Sequence, residues 1–76
     1  DYIQLNSSEQ FDHLPKNVES VYVLANGKIR VKTSDETHHL EFKDVIFACP
    51  NDSFSIAHTG DDVVKLIYCQ PTTSLV

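Results

Sequence analysis

The chain has 76 residues, with 11 Asp and Glu against 6 Lys and Arg and a formal net charge of −5. That length forms one domain, residues 1–76, with a thin core, because so short a chain buries only about 60% of the surface its unfolded form exposes. The acidic balance speaks against nucleic-acid binding, and no apolar run approaches the ~20 residues needed to cross a bilayer.

In chain order, Tyr2–Leu5 reads as an edge strand and Ser8–Leu14 as a strand or one helical turn, before a loop at Leu14-Pro15-Lys16-Asn17. Val21-Tyr22-Val23-Leu24-Ala25-Asn26-Gly27-Lys28-Ile29-Arg30-Val31 predicts a hairpin. Asn-Gly between β-branched runs fits a type I′ turn, which needs positive φ at both central residues. Ser34-Asp35-Glu36 is a turn leading into a strand over Thr37–Phe42, and Asp44–Cys49 is a further apolar run stopped by Pro50-Asn51-Asp52. Phe54–His58 is a short strand, Thr59-Gly60-Asp61 turns the chain, and Val63–Cys69 is the last strand, ended by Pro71. Helix signals are nearly absent. Short strands separated by regular turns predict an all-β sandwich or barrel.

Cys49 and Cys69 sit in apolar runs. Free buried thiols in a reducing, cytoplasmic setting are expected, with a Cys49–Cys69 disulfide as the alternative; no signal-peptide pattern is evident. Lys28, Arg30 and Lys32 fall on one face of a strand, where they are solvated or touch a phosphate.

Several segments, taken in order, resemble the cupins. Glu19-Ser20-Val21-Tyr22-Val23-Leu24, then Gly27, resembles the end of the first cupin motif, in which H-x-H precedes a glutamate and a hairpin glycine. Thr37–Phe47 resembles the strand between motifs. Pro50, Phe54 and His58-Thr59-Gly60-Asp61 have the spacing of the second motif, P-x-x-x-H-x-x-x-N. The resemblance covers about three quarters of the chain, and it implies a small jelly-roll barrel of about seven or eight short antiparallel strands.

The departures matter for chemistry. Metal-binding cupins supply two His and one Glu from the first motif and one His from the second. Here Glu19 aligns with the carboxylate, only His13 lies near the H-x-H pair, Phe54 aligns with the second-motif histidine, His58 with the asparagine, and Lys43 with the glycine of a Gly-Asp turn. A metal site needs three or four converging ligands, so neither metal nor cofactor is expected.

The alignment would point Glu19 and Phe54 inward, with His13 and His58 beside them. Three of these also have a plainer reading: Glu19 solvated at the barrel mouth, His13 on a surface loop, His58 bonding backbone in a turn. Tyr22 and Tyr68 are core or rim aromatics whose hydroxyls could serve a ligand. His38 and His39 point to opposite faces and cannot chelate together.

The expected function is a metal-free domain that binds a small polar ligand, sugar-like in one version, or pairs as a homodimer. A sugar isomerase or epimerase using His58 with Glu19 or Tyr68 is the alternative, followed by a residual metal-dependent isomerase or dioxygenase with His13, Glu19 and His58 as ligands.

Overall fold

A computed structural model describes residues 2–70. Eight strands follow one another: β1 (Tyr2–Leu5), β2 (Gln10–His13), β3 (Ser20–Asn26), β4 (Lys28–Lys32), β5 (Thr37–Leu40), β6 (Val45–Ala48), β7 (Phe54–Thr59) and β8 (Val64–Cys69). They form two four-stranded antiparallel sheets, β1-β8-β3-β6 and β2-β7-β4-β5. The expected all-β jelly-roll barrel is present. Within Ser8–Leu14 the strand alternative holds over Gln10–His13, entered by a turn in which Glu9 N–H donates to the Asn6 carbonyl at 3.0 Å. The expected stop at Pro71 lies outside the described residues.

The Asn26-Gly27 hairpin is not formed. β3 pairs with β6 and β8, whereas β4 pairs with β5 and β7, so this turn carries the chain from one sheet to the other. Gly27 has φ +88°, but Asn26 is not among the positive-φ residues, which excludes a type I′ turn. A bulge between Leu24 and Asn26 bends the strand, and the Asn26 side-chain amide donates to the Val63 carbonyl at 2.8 Å. A Cβ on Gly27 would stand 2.9 Å from the same Val63 oxygen. Long-range packing has overridden a local turn preference. β4 and β5 are the consecutive strands that do pair, around Thr33–Glu36, where Thr33 Oγ1 accepts from Glu36 N–H at 2.9 Å.

Alternation places the core between the sheets. On β4, Ile29 and Val31 are buried while Lys28, Arg30 and Lys32 are exposed. Leu5, Tyr22, Leu24, Ile56, Val64 and Leu66 complete the buried cluster, with Phe11, Phe54 and Tyr68 packed against it. Neither thiol belongs to it: Cys49 and Cys69 are free and exposed, contrary to the expected burial, because alternation puts Cys49 in phase with outward-facing Val45 and Phe47, and Cys69 in phase with Ile67.

The Gly-Asp turn of the resemblance is Lys43-Asp44 here. Asp44 Oδ2 accepts from Glu41 N–H at 2.9 Å, and Lys43 sits at φ +86°, a left-handed conformation that glycine takes freely and lysine does not.

Candidate functional site

Between the sheets lies a small group of aromatic and polar side chains. His13 on β2 pairs in register with Phe54 on β7, and their rings stack at 4.7 Å with an interplanar angle of 12°. Tyr22 on β3 pairs in register with Tyr68 on β8, with ring centroids 4.9 Å apart. Across the gap, His13 Nδ1 and the Tyr22 hydroxyl are 2.6 Å apart; within one sheet, the Ser20 hydroxyl of β3 lies 3.2 Å from that of Tyr68 on β8. The interior therefore has an aromatic wall and two polar pairs.

Electrostatics hold this group neutral. Burial pushes the Tyr22 phenol up to about 12, helped by Tyr68 beside it. Burial also lowers His13, reinforced by Lys16 and opposed by Asp52. The Tyr22 hydroxyl and His13 Nδ1 share one hydrogen bond, whose donor is set by the imidazole tautomer. Among the described residues no buried side-chain nitrogen or oxygen lacks a partner.

The structure disperses the other sequence-predicted residues. His13 is 2% exposed and belongs to the core, so its surface-loop reading is corrected: β2 lies across the barrel interior and its final residue faces inward. Glu19 is exposed, because β3 turns Ser20, Tyr22 and Leu24 inward, and Ser20 takes the interior place expected of the carboxylate. Phe54 does face the core, as a half-buried ring packed against the buried cluster.

His58 is four residues further along β7, about 13 Å at the rise of a strand, and its Nε2–H donates to the Asp62 carbonyl at 2.7 Å. It closes a turn. His13, Glu19 and His58 are thus not gathered, and no group of three or more His, Cys, Asp and Glu side chains among the described residues is arranged to hold a metal ion. The donor set does not fit the metal of metal-binding cupins. Ser20 escaped sequence reasoning because β3 is apolar on both faces, which hides which face is inside.

A cleft of about 470 Å³ opens where β1 and β2 border the gap between the sheets, lined by Tyr2, Phe11, His13, Tyr22 and Tyr68, with Asp12 and Lys16 among its polar residues.

The outer face of the β1-β8-β3-β6 sheet carries two apolar rows beside the polar pair Gln4–Lys65. In register, Tyr2, Ile67, Val23 and Val45 form a row across all four strands. Cys69, Val21 and Phe47 form a second row beside it. Tyr2, Val45, Phe47 and Ile67 are 57%, 55%, 63% and 43% exposed. This explains the two-sided apolarity of β3: Tyr22 and Leu24 face the core, Val21 and Val23 the outer surface.

With that geometry the chain superposes on the cupin domain of Schizosaccharomyces pombe Cnp3 at a TM-score of 0.83, with 19% identity over 95% of this chain and 50% of that one. The fold is that of the cupins. A predicted oxalate decarboxylase from Thermotoga maritima matches at a TM-score of 0.79 and 18% identity, over 88% of this chain and 59% of that one. The Drosophila melanogaster CENP-C cupin domain matches at 0.78 and 18%, over 92% and 58%. The chain thus spans between 50% and 59% of the length of these cupin structures. No protein-family model matches the sequence, and no curated protein matches it significantly. Among the described residues no helix is long and apolar enough to cross a membrane.

Proposed function

We propose that this chain is a non-catalytic cupin-fold module that pairs with a second copy of itself through the outer face of the β1-β8-β3-β6 sheet. The observation that carries the reading is the apolar row Tyr2–Ile67–Val23–Val45, flanked by Val21 and Phe47. A contiguous apolar patch on a small acidic domain costs solubility unless something covers it. A second copy offers the same flat apolar surface and adds buried area to a core that is thin at this length. The interior supports a non-catalytic role: its polar groups are paired with one another, and the Phe54 ring occupies the position that the resemblance aligns with the second-motif histidine. A Drosophila melanogaster CENP-C structure has CAL1 bound to it, so protein association is one use of this fold.

Sedimentation equilibrium of the whole chain tests the proposal. A monomer–dimer equilibrium with a midpoint in the micromolar range is expected, and a monomer persisting at about 200 µM overturns it.

A second reading, binding of a small polar ligand, is favoured by the cleft between β1 and β2, whose walls offer aromatic faces beside Asp12 and Lys16. A thermal-shift screen against sugars, sugar phosphates and nucleotides checks it, since ligand at a hundred times its Kd stabilises the fold by about 2.7 kcal/mol. A flat screen removes this reading and leaves the dimer untouched.

A further inference from the structure

The opposite sheet has the opposite character. β4 projects Lys28, Arg30 and Lys32 outward, and all three are exposed. They are half of the 6 Lys and Arg in the chain, gathered on one strand of a protein with 11 carboxylates. In register, Arg30 lies between Ala57 of β7 and His39 of β5, and Lys32 between Ser55 and Thr37. Lys28 pairs with Thr59.

The cations thus run as a line, with small side chains on the β7 side. None is in an ion pair among the described residues, where His38–Glu36 at 2.9 Å is the ion pair present. Like charges two residues apart on one face repel each other, and none of the three is held by a carboxylate at ion-pair distance among the described residues.

We propose that this outer face of the β2-β7-β4-β5 sheet binds an extended acidic peptide from another protein, with Asp or Glu side chains on alternate residues. The geometry of the charges selects the occupant. Positions i, i+2 and i+4 on a strand lie about 6.8 Å apart, the same spacing at which an extended peptide presents successive side chains to one side. Ser55, Ala57 and Thr59 leave room for such a peptide to lie alongside β4 without displacing bulky groups.

A nucleic-acid duplex fits less well. The basic line is one residue wide, Asp12 faces Ser55 from the edge strand, and Asp61 and Asp62 border the depression around Lys28. A duplex needs a broad basic footprint, which a single strand of three cations does not supply.

Titration of the ¹⁵N-labelled chain with the peptide Ac-Glu-Thr-Glu-Thr-Glu-NH₂, followed by amide chemical shifts at low salt, tests this. Shifts are expected at residues 28–32, 37–39 and 55–59. The midpoint should weaken at least about fivefold at physiological salt, as screening of exposed charges requires. It should weaken as much in the triple variant Lys28→Ser/Arg30→Ser/Lys32→Ser, while Lys65→Ser, on the other sheet, leaves it unchanged. If the triple variant does not fold, Arg30→Ser alone should weaken binding at least about twofold. Absent shifts, shifts spread over both sheets, or equal midpoints in wild type and variant overturn the proposal. Tighter binding of a short DNA duplex than of the peptide overturns the choice of occupant.

Discussion

Replacing Phe47 by Lys should dissolve the dimer while sparing the fold. Phe47 is 63% exposed on β6, an edge strand of the apolar sheet, and faces Val21 in register. Full burial of such a ring is worth about 1.5–3 kcal/mol, so covering the exposed part in an interface contributes about 1–2 kcal/mol. A two-fold dimer loses that contribution twice, about 2–4 kcal/mol, which weakens the dissociation constant by roughly 30- to 900-fold.

The starting point follows from the same surface. Tyr2, Val21, Val23, Val45, Phe47 and Ile67, at about 1 kcal/mol each in both copies, supply about 12 kcal/mol. An association cost of about 5 kcal/mol leaves a dissociation constant of about 10 µM. Sedimentation equilibrium across that range reads both numbers, with thermal melts confirming that the variant is folded. Arg30→Ser, on the opposite sheet, should leave dimerisation unchanged. A Phe47→Lys protein that dimerises within about threefold of the wild type would refute the reasoning, since Phe47 is more exposed than Tyr2, Val45 or Ile67 on the same face.

Further outcomes follow from single residues. Lys43→Gly should stabilise the fold: relief of left-handed strain of about 1–2 kcal/mol outweighs the extra unfolded-state entropy of glycine, for a net of about 0.5–1 kcal/mol and a Tm rise of about 2–8 °C by calorimetry. Asn51→Gly, at φ +71°, should gain less, because asparagine already tolerates that region. Gly27→Ala should destabilise by about 1–3 kcal/mol, since its φ of +88° and the Val63 oxygen 2.9 Å from the added carbon both oppose a side chain. Acid should weaken the fold through His13: its pKa is lowered on folding by burial and Lys16, so the unfolded chain binds the proton more readily. The neutral-His contribution is full above about pH 6.5 and is lost as pH falls through that value toward the lower folded pKa. Urea titrations at pH 7.5 and 5.5 should show the loss, and His13→Gln should reduce the difference between them.

The sequence alone determined the strand content and most turns, because period-two alternation and turn chemistry are local. Ile29 and Val31 inside with Lys28, Arg30 and Lys32 outside can be read from β4 by itself, and the spacing of Pro50, Phe54 and His58 carried the resemblance that the fold bears out. Where a strand is apolar on both faces, alternation loses its sign. β3 could therefore not say that Ser20 faces inward and Glu19 outward, nor that its spare apolarity belongs to an exposed sheet face. Tertiary structure decided that, along with the partners of Asn26-Gly27. A dipeptide suited to a hairpin was diverted between sheets once Val63 and Val64 packed against Gly27 and the Asn26 amide bonded the Val63 carbonyl. Which strand lies beside which depends on contacts between residues far apart in the chain, and a local pattern holds no information about them.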